Sequence, residues 1–233
     1  MSLLGNGALM IWHDIASDGD SDYNEWHSKE HMLERVAVPG FRRGHRGRAV
    51  SGSPQYINWY EVENLATLTS APYLERLNHP TPWSQRTLGY FRGNNRTLCR
   101  VVNSIGDGVT GFLLSVQITA ATGRSNELGA WLNDTMPSLI EQGGVVSAHY
   151  LEGDMAASQV ETTEKSLRDG SDAITDRVVL AGGYDPAALM ALRDTILSSA
   201  ALAARGALEP QRVAVYQLLH CIAEADLRAV TGT

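Results

Sequence analysis

Residues 22–46 read DYNEWHSKEHMLERVAVPGFRRGHR. Up to Val38 the aromatic and apolar residues recur at helical spacing, Pro39-Gly40 stops the helix, and Phe41 opens an extended pattern. Upstream, ALMIWHDI (8–15) is strand-like; downstream, FRRGHRGRAV and QYINWYEV are two strands joined by the hairpin residues SGSP. A helix around 66–78, an irregular HPTPWSQRTLGYFRGNN and a strand RTLCRVV (96–102) complete the order β-α-β-β-α-β. This is the split-βαβ, ferredoxin-like order.

NSIGDGVTG (103–111) reads as a linker, after which the order recurs. FLLSVQI, a helix over 125–142, VVSAHYL, ITDRVVLAG, a helix over 186–201 and RVAVYQLL (212–219) follow in turn. Gly40 overlays Gly144, His45 overlays His149, and later Ile57 overlays Val178, so the offset grows from 104 to 121. The difference, 17 residues, falls inside GDMAASQVETTEKSLRDGS (153–171), expected to be a mobile polar excursion. The expected fold class is α+β, two tandem ferredoxin-like modules over 1–105 and 109–233.

The opening stretch, followed by NHPTPWSQRTLGYFRG (78–93), resembles the EthD-like branch of the dimeric α/β-barrel superfamily, in a fused two-module form. The resemblance covers about the first hundred residues and is only architectural beyond them. It implies two sheets packed as a barrel within the chain, helices outside, and ligand clefts between helices and sheet. It implies no single chemistry, because the superfamily includes cofactor-free oxygenases, isomerases and haem enzymes.

The bulk numbers narrow the classes. The chain has 233 residues, 43% hydrophobic and 19% charged, the balance of a globular protein with a core. A net charge of -7 argues against nucleic acid as a partner. No signal peptide or membrane-length apolar run is present in the sequence, so the cytoplasm is the expected location and no membrane partner is expected. Cys99 and Cys221 are far apart in the sequence and are expected in the core. No dinucleotide, Walker, nucleophile-elbow or Cys-x-x-Cys motif occurs.

On an ideal helix Tyr23, Trp26, His27, Glu30, Glu34 and Ala37 share an arc of about 100°, with His31 and Leu33 at its edges. Imidazoles and carboxylates without partners are costly to bury, so this arc predicts a polar cleft between helix and sheet. In the second half Trp131, Asp134, Thr135 and Ser138 overlay His27, Glu30, His31 and Glu34, which predicts a degenerate second cleft. His-x-x-Glu-His at 27–31 also fits a zinc pattern, but no third ligand is marked, so neither metal nor other cofactor is expected.

His31 is the first choice as general base or acid, being also the residue that matches the family's Glu-His ahead of Pro-Gly. Glu30 or Glu34 would orient it, and His27 and His13 are further catalytic candidates. Trp26, Tyr23, Asp14, Arg43, His45, Trp59 and Trp83 are the candidate ligand-binding residues. His13 and Asp14 alternate on their strand, so one points inward; Arg43 and His45 share a face opposite Arg42, Arg46 and Arg48. The expected function is a cofactor-independent isomerase, lyase or oxygenase-like enzyme acting on an aromatic or cyclic catabolic intermediate. The alternatives are a binding or accessory protein and, behind it, haem or zinc binding; a homodimer is allowed.

Overall fold

Eight antiparallel strands close into one barrel in the computed structural model, which describes residues 3–168 and 170–227. They are β1 (Gly7–Ile15), β2 (Phe41–Gly52), β3 (Tyr56–Val62), β4 (Phe91–Gly106), β5 (Phe112–Ile118), β6 (Val145–Gly153), β7 (Arg177–Gly183) and β8 (Arg212–Ala223). Around the ring the order is β1-β3-β2-β8-β5-β7-β6-β4. Each half of the chain therefore supplies four adjacent strands, β4-β1-β3-β2 and β8-β5-β7-β6, and the seams are β2 with β8 and β4 with β6. Closure leaves no strand edge unpaired.

Helices cover the outside. The first helical run is α1 (Asp20–Trp26), a π-helical turn (His27–His31) and α2 (Met32–Val36). A 3₁₀ turn at Leu65–Thr69 precedes α3 (Ala71–Asn78), and α4 is Pro82–Leu88. In the second half come α5 (Ser125–Ile140), α6 (Met155–Ser158), α7 (Thr163–Ser166), α8 (Pro186–Asp194) and α9 (Ser199–Ala204). Among the described residues no helix is long and apolar enough to cross a membrane.

Alternation along the strands sorts the core into two layers. Met10, Trp12, Ile57, Trp59, Cys99, Leu180 and Tyr216 fill the barrel, whereas Leu9, Tyr60, Val62 and Leu98 point outward beneath the helices. Because both faces of the sheet are covered, β3 and β7 are buried at every residue. Gly40 turns the chain from α2 into β2 with φ +91, and a Cβ there would meet Thr67 Oγ1 at 2.8 Å, so the position requires glycine.

Several expected boundaries move. The irregular segment after Asn78 is α4 and the start of β4, and β4 runs on to Gly106, shortening the linker. The helix expected over 186–201 breaks after Asp194 and restarts at Ser199. Cys221 is half-buried and lies outside the barrel core that holds Cys99. The excursion is not a loose polar loop: it holds α6 and α7, and Glu164 is 4% exposed, inserted against the first half of the chain.

Candidate functional site

HSKEH forms one π-helical turn, closed by the Met32 N–H donating to the His27 carbonyl. Such a turn holds one residue more than an α-helical turn and therefore advances every later side chain by one position. The expected inward positions 30, 34 and 37 become His31, Arg35 and Val38, each buried. Ala37 is exposed, and Glu30 and Glu34 are only half-buried. Glu30 accepts from the Thr81 hydroxyl at 2.6 Å, outside the cleft, and Glu34 reaches no imidazole. Neither carboxylate holds His31, which corrects the expected His/Glu pair.

A hollow of about 440 Å³, part of it open to solvent, lies under this turn. Trp26, His27, His31 and Arg35 form its roof, and Asn58, Tyr60 and Ile11 of the sheet its floor. Leu77, Leu88 and Phe91 make an apolar wall; Asn94, Arg96, Glu164 and Arg168 make a polar one. Only about 30 Å³ of it is open to the centres of water-sized molecules, room for about two ordered waters. Anything larger must displace part of the wall.

Trp26 and His27 are held by neighbours. The Trp26 indole N–H donates to Ser84 Oγ at 3.1 Å, and its ring lies 4.1 Å from that of His31. Tyr60 OH sits 3.4 Å from His27 Nε2. Burial pushes the Tyr60 phenol well above its ordinary pKa, so it stays protonated, and where it donates to Nε2 the His27 proton sits on Nδ1. Burial, aided by Arg46 for His27 and by Arg35 for His31, holds both imidazoles well below the usual histidine range. Both are neutral at neutral pH.

Four side-chain atoms of this lining are buried without a hydrogen-bond partner: His27 Nδ1, His31 Nδ1, Arg35 Nη1 and Asn94 Oδ1. Buried polar atoms are rarely left so, because each costs about 1–3 kcal/mol. Arg35 also pairs with Glu164, both being almost fully buried, so the excursion of the second half seals the hollow of the first. Arg35, Asn94, Arg96, Glu164 and Arg168 escaped the sequence reading. Their one signal was the helical spacing of Glu164 and Arg168, set among residues that otherwise read as loop.

The other candidates are elsewhere. Tyr23 and His13 lie behind the hollow in a satisfied network: Asn58 Nδ2 donates to His13 Nε2 at 3.0 Å, and Tyr23 OH donates to Asn58 Oδ1 at 3.2 Å. His13, stacked 4.2 Å from Phe91, is lowered by burial to about 3, and it does not line the hollow. Asp14 points to solvent and accepts from the Gln55 N–H at 2.7 Å in the hairpin. Trp83 donates to Asp22 at 2.9 Å on the outer side of α4. Arg43, His45 and Trp59 belong to the opposite face of the sheet, since strand alternation sends them into the barrel. There Glu61 accepts from Arg43 at 2.9 and 3.0 Å and contacts His45 Nε2 at 2.8 Å. This network and His149 line a separate hollow at the barrel mouth.

In the second half α5 is an uninterrupted α-helix, and Leu128, Leu132, Met136 and Leu139 fill the space beneath it. Thr135, which overlays His31, donates its hydroxyl to the Trp131 carbonyl at 2.7 Å. No group of three His, Cys, Asp or Glu is arranged to hold a metal among the described residues.

The sequence matches no protein-family profile. It also matches no curated protein. Solved structures do match. An anthrone oxidase-like protein superposes with a TM-score of 0.68 at 12% identity, over 97% of this chain and 95% of that one. A Fusobacterium nucleatum protein provisionally named a monooxygenase gives a TM-score of 0.57 at 9% identity, over 95% and 96%. A protein provisionally named a chlorite dismutase gives 0.53 at 11% identity, over 92% and 94%. The likeness is one of fold. Three different names on one fold leave the chemistry to the site.

Chemically, the hollow pairs neutral imidazoles with guanidinium groups beside an aromatic wall. A neutral imidazole accepts a proton, and a fixed N–H or guanidinium stabilises the oxyanion that results.

Proposed function

We propose that the chain is a cofactor-independent small-molecule enzyme whose substrate, an aromatic or cyclic compound with an acidic C–H or O–H beside a carbonyl, binds under the π turn. The observation that carries this reading is that one hollow, walled by Trp26 and Phe91, is lined by His27, His31, Arg35 and Asn94, each with a buried side-chain atom that has no hydrogen-bond partner. In this reading His31, which has no protein partner on its ring nitrogens among the described residues, takes the proton. His27 Nδ1–H and Arg35 stabilise the enolate or phenolate left behind. An isomerase returns the proton at another carbon; an oxygenase lets the carbanion meet dioxygen. The name of the anthrone oxidase-like neighbour favours the second course.

The same reading takes the chain as two fused ferredoxin-like modules of the EthD-like branch, with boundaries near 105 and 109 and only the first module keeping a site. The apolar filling under α5 supports it.

One observation favours the rival reading, a non-catalytic carrier: imidazoles held far below their ordinary pKa are weak bases. The test is incubation of the purified protein with hydroxylated anthrones and naphthols in air, followed by absorbance and mass. Turnover that disappears in His31→Asn supports the enzyme; probes bound and recovered unchanged support the carrier.

A further inference from the structure

The charges around the hollow do not balance. Arg35 is neutralised by Glu164, and Arg168 by Asp172, in two almost fully buried ion pairs. Arg96 is the third cation of the lining, half-buried, and it donates to the phenol oxygen of Tyr73 at 3.0 Å. No carboxylate of the described residues pairs with it. Arg46, just behind the roof, donates its terminal nitrogens to the Asn24 carbonyl at 3.1 Å and to Ser28 Oγ at 2.9 Å and pairs with no carboxylate of the described residues, so its charge is also left uncancelled. Glu34, half-buried on the outer side of α2, does not reach the hollow.

A guanidinium removed from water without a counter-charge is costly unless an anion completes it. The same lining carries an apolar and aromatic set, Trp26 of the roof with Leu88 and Phe91 of the wall. Resting on the proposal that this hollow is the ligand site, we infer that its ligand is an aromatic monoanion, a carboxylate or phenolate. Its charged oxygen meets Arg96 and the free Nη1 of Arg35, and its ring lies against Trp26 and Phe91. Guanidinium groups suit this task because their fork of donors matches a carboxylate. The acid–base step then begins from a substrate already held by its charge, so specificity against neutral analogues resides in Arg96.

The test is titration calorimetry of the full chain with 1-hydroxy-2-naphthoate and with its methyl ester. The acid is expected to bind at least about tenfold more tightly than the ester, with the gap shrinking at high salt. Arg96→Gln should erase the gap by weakening the acid far more than the ester; Arg96→Lys, which keeps the charge, should retain part of it. Equal affinities in the native chain, or a gap that survives Arg96→Gln, overturn the inference. Leu88→Trp separates it from the parent proposal by filling the hollow. If both probes bind equally and both are blocked by this variant, only the anion inference falls. If both still bind in the filled variant, the hollow itself is not the site. Binding of neither probe to the native chain counts against both.

Discussion

The rings of His27 and His31 lie 5.6 Å apart across a single π-helical turn, tilted 42° to one another, and both line the same hollow. In a continuous α-helix the partner of His27 on that face would be residue 30 or 31, with Glu30 competing for the inward place. The extra residue settles the competition in favour of imidazole and turns Arg35 inward with it.

Removing that residue gives the first prediction. Lys29 is exposed, so its deletion converts the π turn into an α turn while His31, Arg35 and Val38 keep their inward faces. The variant is expected to unfold cooperatively within about 1 kcal/mol of the native chain, that is, roughly 2–4 °C in Tm. Binding of aromatic probes should weaken at least about tenfold, because the two imidazoles change their mutual spacing. Melting curves paired with calorimetry check both halves.

The latch between the two halves gives the second. Glu164→Gln strands the buried Arg35 charge and is expected to cost about 3–5 kcal/mol, a fall of roughly 10 °C in Tm. Arg35→Met combined with Glu164→Leu removes both charges and should be less damaging than either single change. Denaturant titration of the four proteins reads the coupling directly.

Buried neutral histidines make stability depend on pH. Burial lowers His13 from 6.5 to about 3 and His149 from 6.5 to about 4. Between those values and 6.5 the unfolded chain binds protons that the folded chain refuses, so the stability is present above about pH 6.5 and is lost on acidification. At pH 5 each of the two is expected to have cost about 2 kcal/mol relative to pH 7. His149→Gln should flatten the slope of stability between pH 6 and pH 5 by about 1.2 kcal/mol per pH unit. A slope unchanged by that substitution would remove His149 from this explanation.

Trp83 and Trp26 separate packing from binding. Trp83→Phe loses one hydrogen bond to Asp22 outside the hollow and is expected to cost about 1 kcal/mol with probe affinity unchanged. Trp26→Phe keeps a ring over His31 but loses the indole N–H bond to Ser84 Oγ that fixes the ring, and affinity should fall several-fold. Calorimetry on the two variants decides whether the aromatic wall lies where the hollow puts it.

Much of the fold was legible because its signals are local. FLLSVQI is β5 residue for residue, and Pro39-Gly40 ends the first helical run where it should. The site was harder, because three of its determinants are not periodic. A π turn leaves no mark in a helical wheel, so the wheel carried Glu30 and Glu34 inward in place of His31 and Arg35. Strand alternation placed Arg43 and His45 together correctly, but which face meets the helices depends on barrel closure, a long-range property. Glu164 and Arg168 sit in a segment whose polarity reads as solvent exposure, and only the sealed ion pair with Arg35 gives that polarity its meaning.

The central claim is that the hollow beneath the π turn is the ligand site. A crystal structure of the protein grown with 1-hydroxy-2-naphthoate tests it most directly. The expected result is the naphthalene ring against Trp26 and Phe91, with its oxygens within hydrogen-bond distance of His27 Nδ1 and Arg35 Nη1. Ordered water alone in that hollow, with the naphthoate bound at the barrel mouth beside His45 and Glu61, would contradict it.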